Sequence, residues 1–347
     1  MFSDSIFALL FRLSGTGAKF LLLLIGGQFL DVEVYIDLAA LIAVVLISVF
    51  ILGFDFYTFV YRRIIILSEN ELSREISAHL TLILSIIIFF YIFIFISGFD
   101  DYLNLSILTI LSVAAVELLA FEVTRYLQAK KDYLFFSFLL GLRSGGWCAI
   151  ILFLFLINVE GIDLYLIAII WLSNSFVVLI TGFVRMRQLH KINLRLIFDQ
   201  KWLRKGFIFA FPYWIASISF KALTTFDKIL VESTFNTSAT FVYVLSASIG
   251  GIYLMLSDTI IYSKIAPYLV ETAKLDGEKF SRYSKQTVLQ AIKLCSVILI
   301  FVLCTFPFLS ILTGREFVSD FFNKVHHVLV IRIRNINSDH LNIRKTF

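Results

Sequence analysis

Two pairs of basic residues pose the first chemical question. Arg12 and Lys19 are seven residues apart inside the apolar stretch IFALLFRLSGTGAKFLLLLIGG. Lys221 and Lys228 repeat that spacing in FKALTTFDK. Seven residues make nearly two helical turns, so the members of each pair share a face. Gly15 and Thr16 lie between the first pair, and Ser217, Thr224 and Thr225 share the stripe of the second. Arg143 sits inside LGLRSGGWC. A Lys or Arg at mid-bilayer costs roughly 2.5–3.5 kcal/mol on insertion scales, so such residues usually face a wet cavity or one another. Cations converging from several helices would form a positive cavity for a phosphate or diphosphate. Arg offers a planar fork to its oxygens and Lys a compact point charge. Lys19, Arg143 and Lys221 are read as lining such a cavity. Arg12 and Lys228 lie near predicted span ends, where snorkelling to the headgroups competes with that role.

The carboxylates divide in a similar way. Asp37, Glu117 and Asp227 lie in or near apolar spans and are candidate proton- or sodium-coupling groups, although Asp227 can instead offset Lys228. Glu122 and Arg125 are three apart and are expected to pair. Asp55, seven residues before Arg62, is expected to cap or pair near a helix end. No Gly-rich phosphate loop, HExxH, GxSxG or paired-cysteine motif occurs, so the chain reads as non-enzymatic and free of cofactor and metal. Cys148, Cys295 and Cys304 lie in apolar runs and read as small core hydrophobes. His326 and His327 are adjacent, which by itself makes no metal site.

The elements that carry these residues follow from composition. The 347 residues are 59% hydrophobic and 16% charged, with 38 Phe; soluble domains carry about 25% charged residues. No soluble fold of this length has enough interior for so much apolar surface. The expected class is an all-α polytopic membrane protein of about nine spanning helices, near 5–28, 35–60, 79–98, 104–125, 133–157, 163–184, 206–231, 239–264 and 288–313. The N-terminus lacks a basic leader and reads as the first span rather than a removed signal peptide.

The connecting segments test this division. Segments 61–78, 125–132, 184–205 and 264–287 hold three, three, seven and five Lys or Arg, whereas 29–34, 98–103, 158–162 and 232–238 hold none. Basic loops favour the cytoplasmic side, which places the N-terminus inside. On this reading the rings and arginines of GFDFYTFVYRR, residues 53–63, mark an inner boundary. The net charge of +5 belongs to these loops and not to nucleic-acid binding. Segment 184–205 is basic and partly amphipathic, suited both to the membrane surface and to linking two halves. Ser68-Glu-Asn-Glu71 fits a capping box that opens a short surface helix. Pro212, in the seventh span, suits either a bend or a tolerated first-turn position. After residue 313 the pattern fails: the tail is positively charged, its apolar runs are too short to span, and the composition changes near Phe322. The expectation is a truncated chain or a shifted reading frame.

The segment GTGAKFLLLLIGGQFLDVEVYIDLAALIAVVLISVFILGFDFYTFVYRR, with Gly53, Asp55, Tyr57, Thr58 and Arg62 at its end, resembles bacterial O-antigen and polysaccharide repeat-unit flippases. These belong to the multidrug/oligosaccharidyl-lipid/polysaccharide exporter superfamily. The stretch FIFAFPYWIASISFKALTTFDKILVES, with Pro212 and Asp227, resembles the start of the second half of that superfamily, and the likeness covers about residues 5–320. It implies two six-helix bundles around a central cavity: residues 1–184 as the first, 185–205 as a cytoplasmic linker, 206–313 as a partial second and 314–347 as an atypical tail. It implies alternating access that moves an undecaprenyl-diphosphate-linked oligosaccharide across the inner membrane. Arg12, Lys19, Arg143, Lys221 and Lys228 would meet the diphosphate. Membrane lipids, a polysaccharide polymerase and a chain-length regulator are the other implied partners. The alternatives are a cation-coupled multidrug exporter of the same superfamily and a polysaccharide-processing membrane enzyme, the latter disfavoured by outer loops too short to carry a site.

Overall fold

The computed structural model describes residues 2–223 except 66, 68, 99, 100, 103, 104, 160 and 191–193, together with 281, 284–286, 288, 289, 292, 293 and 296. Two compact units are Met1–Ala291 and Ile292–Phe347. In the second, the described residues 292, 293 and 296 are helical, and Ser296 Oγ donates to the Ile292 carbonyl at 2.9 Å. Expected spans 239–264 and 288–313 lie wholly or mostly outside the described residues, as do Lys228 and Asp227.

The first unit is helical: α1 (Phe2–Phe29), α2 (Val32–Gly53), α3 (Tyr57–Ile64), α4 (Glu69–Ser97), α5 (Ile107–Ala129), α6 (Tyr133–Leu156), α7 (Leu164–His190) and α8 (Gln200–Leu223). A two-residue antiparallel pair, β1 (Asp101–Tyr102) with β2 (Leu105–Ser106), turns the chain between α4 and α5. Among the described residues, α2, α4, α5, α6 and α7 are long and apolar enough to cross a membrane. Their outward faces agree with a lipid solvent. On α4, Ile88, Phe89, Ile92, Phe93, Phe95 and Ile96 are all exposed, a contiguous apolar surface that water would not tolerate at this size. The protein is therefore a helical protein of membrane character.

Helix α5 is central and packs against α2, α3, α4, α6 and α7. One apolar core joins α2, α5, α6 and α7, with Trp147 stacked on Trp171 at 4.6 Å between ring centroids. A second core gathers around Phe56, Leu127, Leu139 and Trp202. Helices α1 and α6 approach most closely through glycine. A Cβ on Gly15 would meet the Gly141 and Ser144 atoms, one on Gly141 would meet the Phe11 carbonyl, and one on Gly145 would meet the Gly15 backbone. Gly141 and Gly145 form a G-x-x-x-G pattern, which lets helix backbones touch where lipid gives no hydrophobic drive to associate.

The expected single span 35–60 is instead two helices. Phe54 and Asp55 take left-handed backbone, φ 50° and 47°, which L-residues adopt only when the surroundings hold them there. The interrupted ladder is repaired locally: Phe56 N donates to the Gly53 carbonyl at 3.0 Å, and Thr58 N and Oγ1 donate to the Asp55 carbonyl at 3.0 and 2.8 Å. The break is fastened to α8. Phe54 stacks on Trp214 at 4.5 Å, Trp214 Nε1 donates to the Phe50 carbonyl at 3.1 Å, and Ser217 Oγ donates to Asp55 Oδ2 at 2.9 Å. The Asp55 carboxylate thus ties α3's entry to α8, while Arg62 lies over the Phe209 and Tyr213 rings.

One further expectation is corrected and one open alternative is decided. Helix α4 starts at Glu69 and continues unbroken to Ser97, so no separate surface helix follows Ser68. Helix α8 starts at Gln200, which puts Pro212 in its interior and not in its first turn. There the proline removes one backbone donor from the ladder. The early start has a cause in Asp199. Its Oδ1 accepts from Trp202 N at 3.0 Å, and its Oδ2 accepts from Arg74 Nη2 at 2.8 Å. The Trp202 backbone bond, aided by Arg74, holds the Asp199 carboxyl below the usual carboxylate range. A depressed native pKa adds stability above the unfolded pKa, and that stability is lost as pH falls through the native value. The amides of residues 201–203 should therefore exchange hydrogen faster in acid than at neutral pH, after correction for intrinsic rates. Asp199→Ala should exchange fast at both pH values; protection that does not depend on pH would deny this cap its charge.

Candidate functional site

Between α3, α4, α5, α6 and α8 lies a cluster of charge whose three carboxylates are buried and whose Arg63 reaches the surface. Helix α5 supplies Glu117, Glu122 and Arg125, α6 Arg143, α4 Glu75 and His79, α3 Arg63, and α8 Trp202. Glu75 and His79 are four residues apart on one helix and so share a face. Arg143 Nη1 lies 3.3 Å from Glu117 Oε1, and Ser175 Oγ of α7 donates to Glu117 Oε2 at 2.7 Å. Arg125 Nη1 lies 3.0 Å from Glu122 Oε1. Glu75 Oε1 accepts from Arg63 Nε at 2.5 Å and from Trp202 Nε1 at 2.6 Å. Three carboxylates therefore face three guanidinium groups. The Phe121 ring carries two of these, Arg125 at 3.7 Å and Arg143 at 4.0 Å from its centroid; Arg125 also lies 3.9 Å from the Tyr57 centroid. Such contacts offset part of the cost of burying charge.

Beside the cluster, Tyr57, Tyr61, His79, Glu122, Arg125 and Tyr126 line a cavity with a water-accessible volume of about 20 Å³. His79 Nε2 stands 4.0 Å from Glu122 Oε2.

The residues singled out from sequence are distributed as follows. Arg143 and Glu117, one expected to meet an anion and the other to couple a cation, are brought together as an ion pair. Arg12 is buried against α6, where its Nε donates to Ser137 Oγ at 2.9 Å and its guanidinium lies 4.9 Å from the Phe136 centroid. Lys19 is half-buried on the same helix. Lys221 Nζ lies 5.2 Å from the Phe50 ring centroid, at the seam between α2 and α8. Asp37 is half-buried on α2, one turn after Glu33. Glu122 and Arg125 pair as expected. Sequence reasoning missed Glu75, His79 and Trp202. The i,i+4 spacing of Glu75 and His79 at the polar end of α4 was the available signal.

The cluster can hold charge away from lipid, lock five helices together and rearrange if a proton or an anion redistributes the pairs. Among the described residues no group of three or more His, Cys, Asp or Glu could hold a metal ion. No protein-family model, curated protein or solved structure matches the chain, so fold and site rest on this geometry.

Proposed function

We propose that the chain is a flippase. It moves a lipid-diphosphate-linked oligosaccharide, an O-antigen repeat unit, across the bacterial inner membrane by alternating access. The proposal includes nine spanning helices with the N-terminus in the cytoplasm, a first bundle over 1–184 and a partial second over 206–313. The segregation of Lys and Arg into alternate connecting segments supports this arrangement. One observation carries the transport reading: fixed cations, Arg12 and Lys19 on α1 and Lys221 on α8, sit on apolar stretches of those helices. Cations so placed are costly unless polar or anionic groups meet them, and we propose that a diphosphate joins the protein partners, such as Ser137 at Arg12, in doing so. Lys221 beside Phe50 lies where α8, which carries Pro212 in its interior, adjoins the broken end of α2. Helix interruptions of this kind are where packed elements can pivot.

The reading is tested by replacing the chromosomal copy with Lys221→Glu. Losing a charge-assisted contact of about 1.5–3 kcal/mol lowers affinity roughly tenfold to a hundredfold, and the added negative charge repels a diphosphate further. Surface O-antigen should be lost while the protein remains membrane-inserted at normal level. Lys221→Arg should retain most of it. Normal surface polysaccharide with Lys221→Glu would remove the proposal's basis. The cation-coupled exporter needs a membrane carboxylate available to a cation. Glu117 already accepts from Arg143 and Ser175, so that alternative would rest on Asp37 or Asp227.

A further inference from the structure

The cavity beside Glu122 has its own chemistry. His79 and Tyr61 are only 6% and 7% exposed. His79 Nε2 and the Tyr61 hydroxyl have no hydrogen-bond partner among the described residues. Buried polar atoms left in this state cost about 1–3 kcal/mol each, and both side chains line the same water-accessible volume of about 20 Å³. A single water needs about 10–15 Å³ and two to four polar partners. The 4.0 Å gap between His79 Nε2 and Glu122 Oε2 is too long for a direct hydrogen bond, and a water can bridge it.

We propose that this cavity is an internal water and proton site, in which one water links His79, Tyr61 and Glu122 and the His79 imidazole takes up the proton. Histidine is the side chain that most readily gains a proton near neutral pH; at His79 burial opposes the added charge, while Glu122 and a bridging water favour it. The groups facing it decide what the added charge does. Helix α3 presents Tyr57, Tyr61 and Arg63, α4 presents Glu75, and α5 presents Glu122, Arg125 and Tyr126. Helix α7 brings Met186 to the cavity, while its Arg185 is bound to Asp132 at 2.9 Å. Helix α8 brings Trp202, bound to Glu75. Glu75, Glu117 and Glu122 are matched by Arg63, Arg143 and Arg125. A neutral imidazole therefore leaves the pairs balanced. An imidazolium adds one positive charge, and its nearest anion is Glu122, which it must share with Arg125. Arg125 keeps the faces of Phe121 and Tyr57 as its other contacts, so the carboxylate can turn toward His79 without stranding the guanidinium. This assignment rests on the cavity and is independent of what the chain transports.

The test uses the full chain in lipid nanodiscs with ¹⁵N-labelled histidine, read by solid-state NMR from pH 5 to pH 8. A His79→Gln sample identifies the signal. The His79 ring should pass from a one-proton to a two-proton form within that range and should exchange magnetisation with water. Glu122→Gln should weaken proton binding about tenfold, equivalent to one pH unit. Tyr61→Phe keeps the ring packed and removes one partner of the water, so it should weaken the water signal several-fold even if Glu122→Gln fails to fold. A ring that keeps one protonation state from pH 5 to pH 8 would overturn the proposal. So would a wild-type ring without contact to water, or a water signal unchanged in Tyr61→Phe.

Discussion

Gly145→Leu should separate α1 from α6. A Cβ at position 145 would fall on the Gly15 carbonyl carbon at 2.7 Å, with the Gly15 oxygen and Cα closer still. The obstacle is backbone, which cannot rotate away as a side chain can. Overpacking in a well-packed interior costs about 1–3 kcal/mol, and this site belongs at or above the top of that range because two helix backbones must part. The Arg12–Ser137 hydrogen bond and the Phe11–Phe138 ring contact, at 5.3 Å, join the same two helices and should be lost with them. Gly145→Ala should show a smaller version of the effect, since the same Cβ is added without the rest of the side chain. Gly17 provides the control: it lies on α1 two residues beyond Gly15, and a Cβ there meets nothing within 4 Å. Gly17→Leu should therefore be close to wild type. Cross-linking between cysteines placed on α1 and α6, together with unfolding in mixed micelles, reads both outcomes. Equal loss of stability in Gly145→Leu and Gly17→Leu would show that the Gly145–Gly15 approach does not govern this interface, since Leu is the better helix former at both positions.

How much of this was legible beforehand depends on the range of the interactions. Expected spans 133–157 and 163–184 meet α6, Tyr133–Leu156, and α7, Leu164–His190, because uninterrupted apolar runs fix a helix locally. The break at Phe54 and Asp55 was hidden because apolar residues flank it on both sides, so hydropathy runs straight across. What holds it open is Trp214 and Ser217, about 160 residues away in sequence. The start of α8 was missed for a different reason. Its capping Asp199 stands in a basic segment that reads as linker, and its ion-pair partner Arg74 is on α4. The site divides along the same line. Glu122 and Arg125 are one turn apart and their pairing could be read directly. Arg143 and Glu117 come from different helices. Single residues suggested an anion contact and a cation contact, whereas the packing of α5 on α6 joins them. His79 gave little signal as a lone histidine; only its cavity, shared with Tyr61 and Glu122, gives it a role.

Glu117→Ala should be the most damaging substitution in the charge cluster. Arg143 and Glu117 side chains are 13% and 6% exposed, and Glu117 also accepts from Ser175. Removing the carboxylate leaves a guanidinium within the bundle and a hydroxyl without its acceptor. Breaking a buried pair from one side costs about 3–5 kcal/mol, whereas replacing both partners by apolar groups of similar volume is often neutral. Glu117→Leu combined with Arg143→Met should therefore recover most of the stability that either single change removes, as read by unfolding in mixed micelles. Failure of the double variant to recover would mean that Arg143 also holds the fold through other contacts, of which the Phe121 face is the foremost. The same double variant separates architecture from transport. If stability returns and O-antigen display does not, the pair acts in translocation, with Arg143 leaving Glu117 for the diphosphate as the cavity changes its opening. If display returns as well, the pair is a brace between α5 and α6. The anion must then be met by cations outside this pair, which leaves Arg12, Lys19 and Lys221 as the positive groups of the described helices on which the proposal depends.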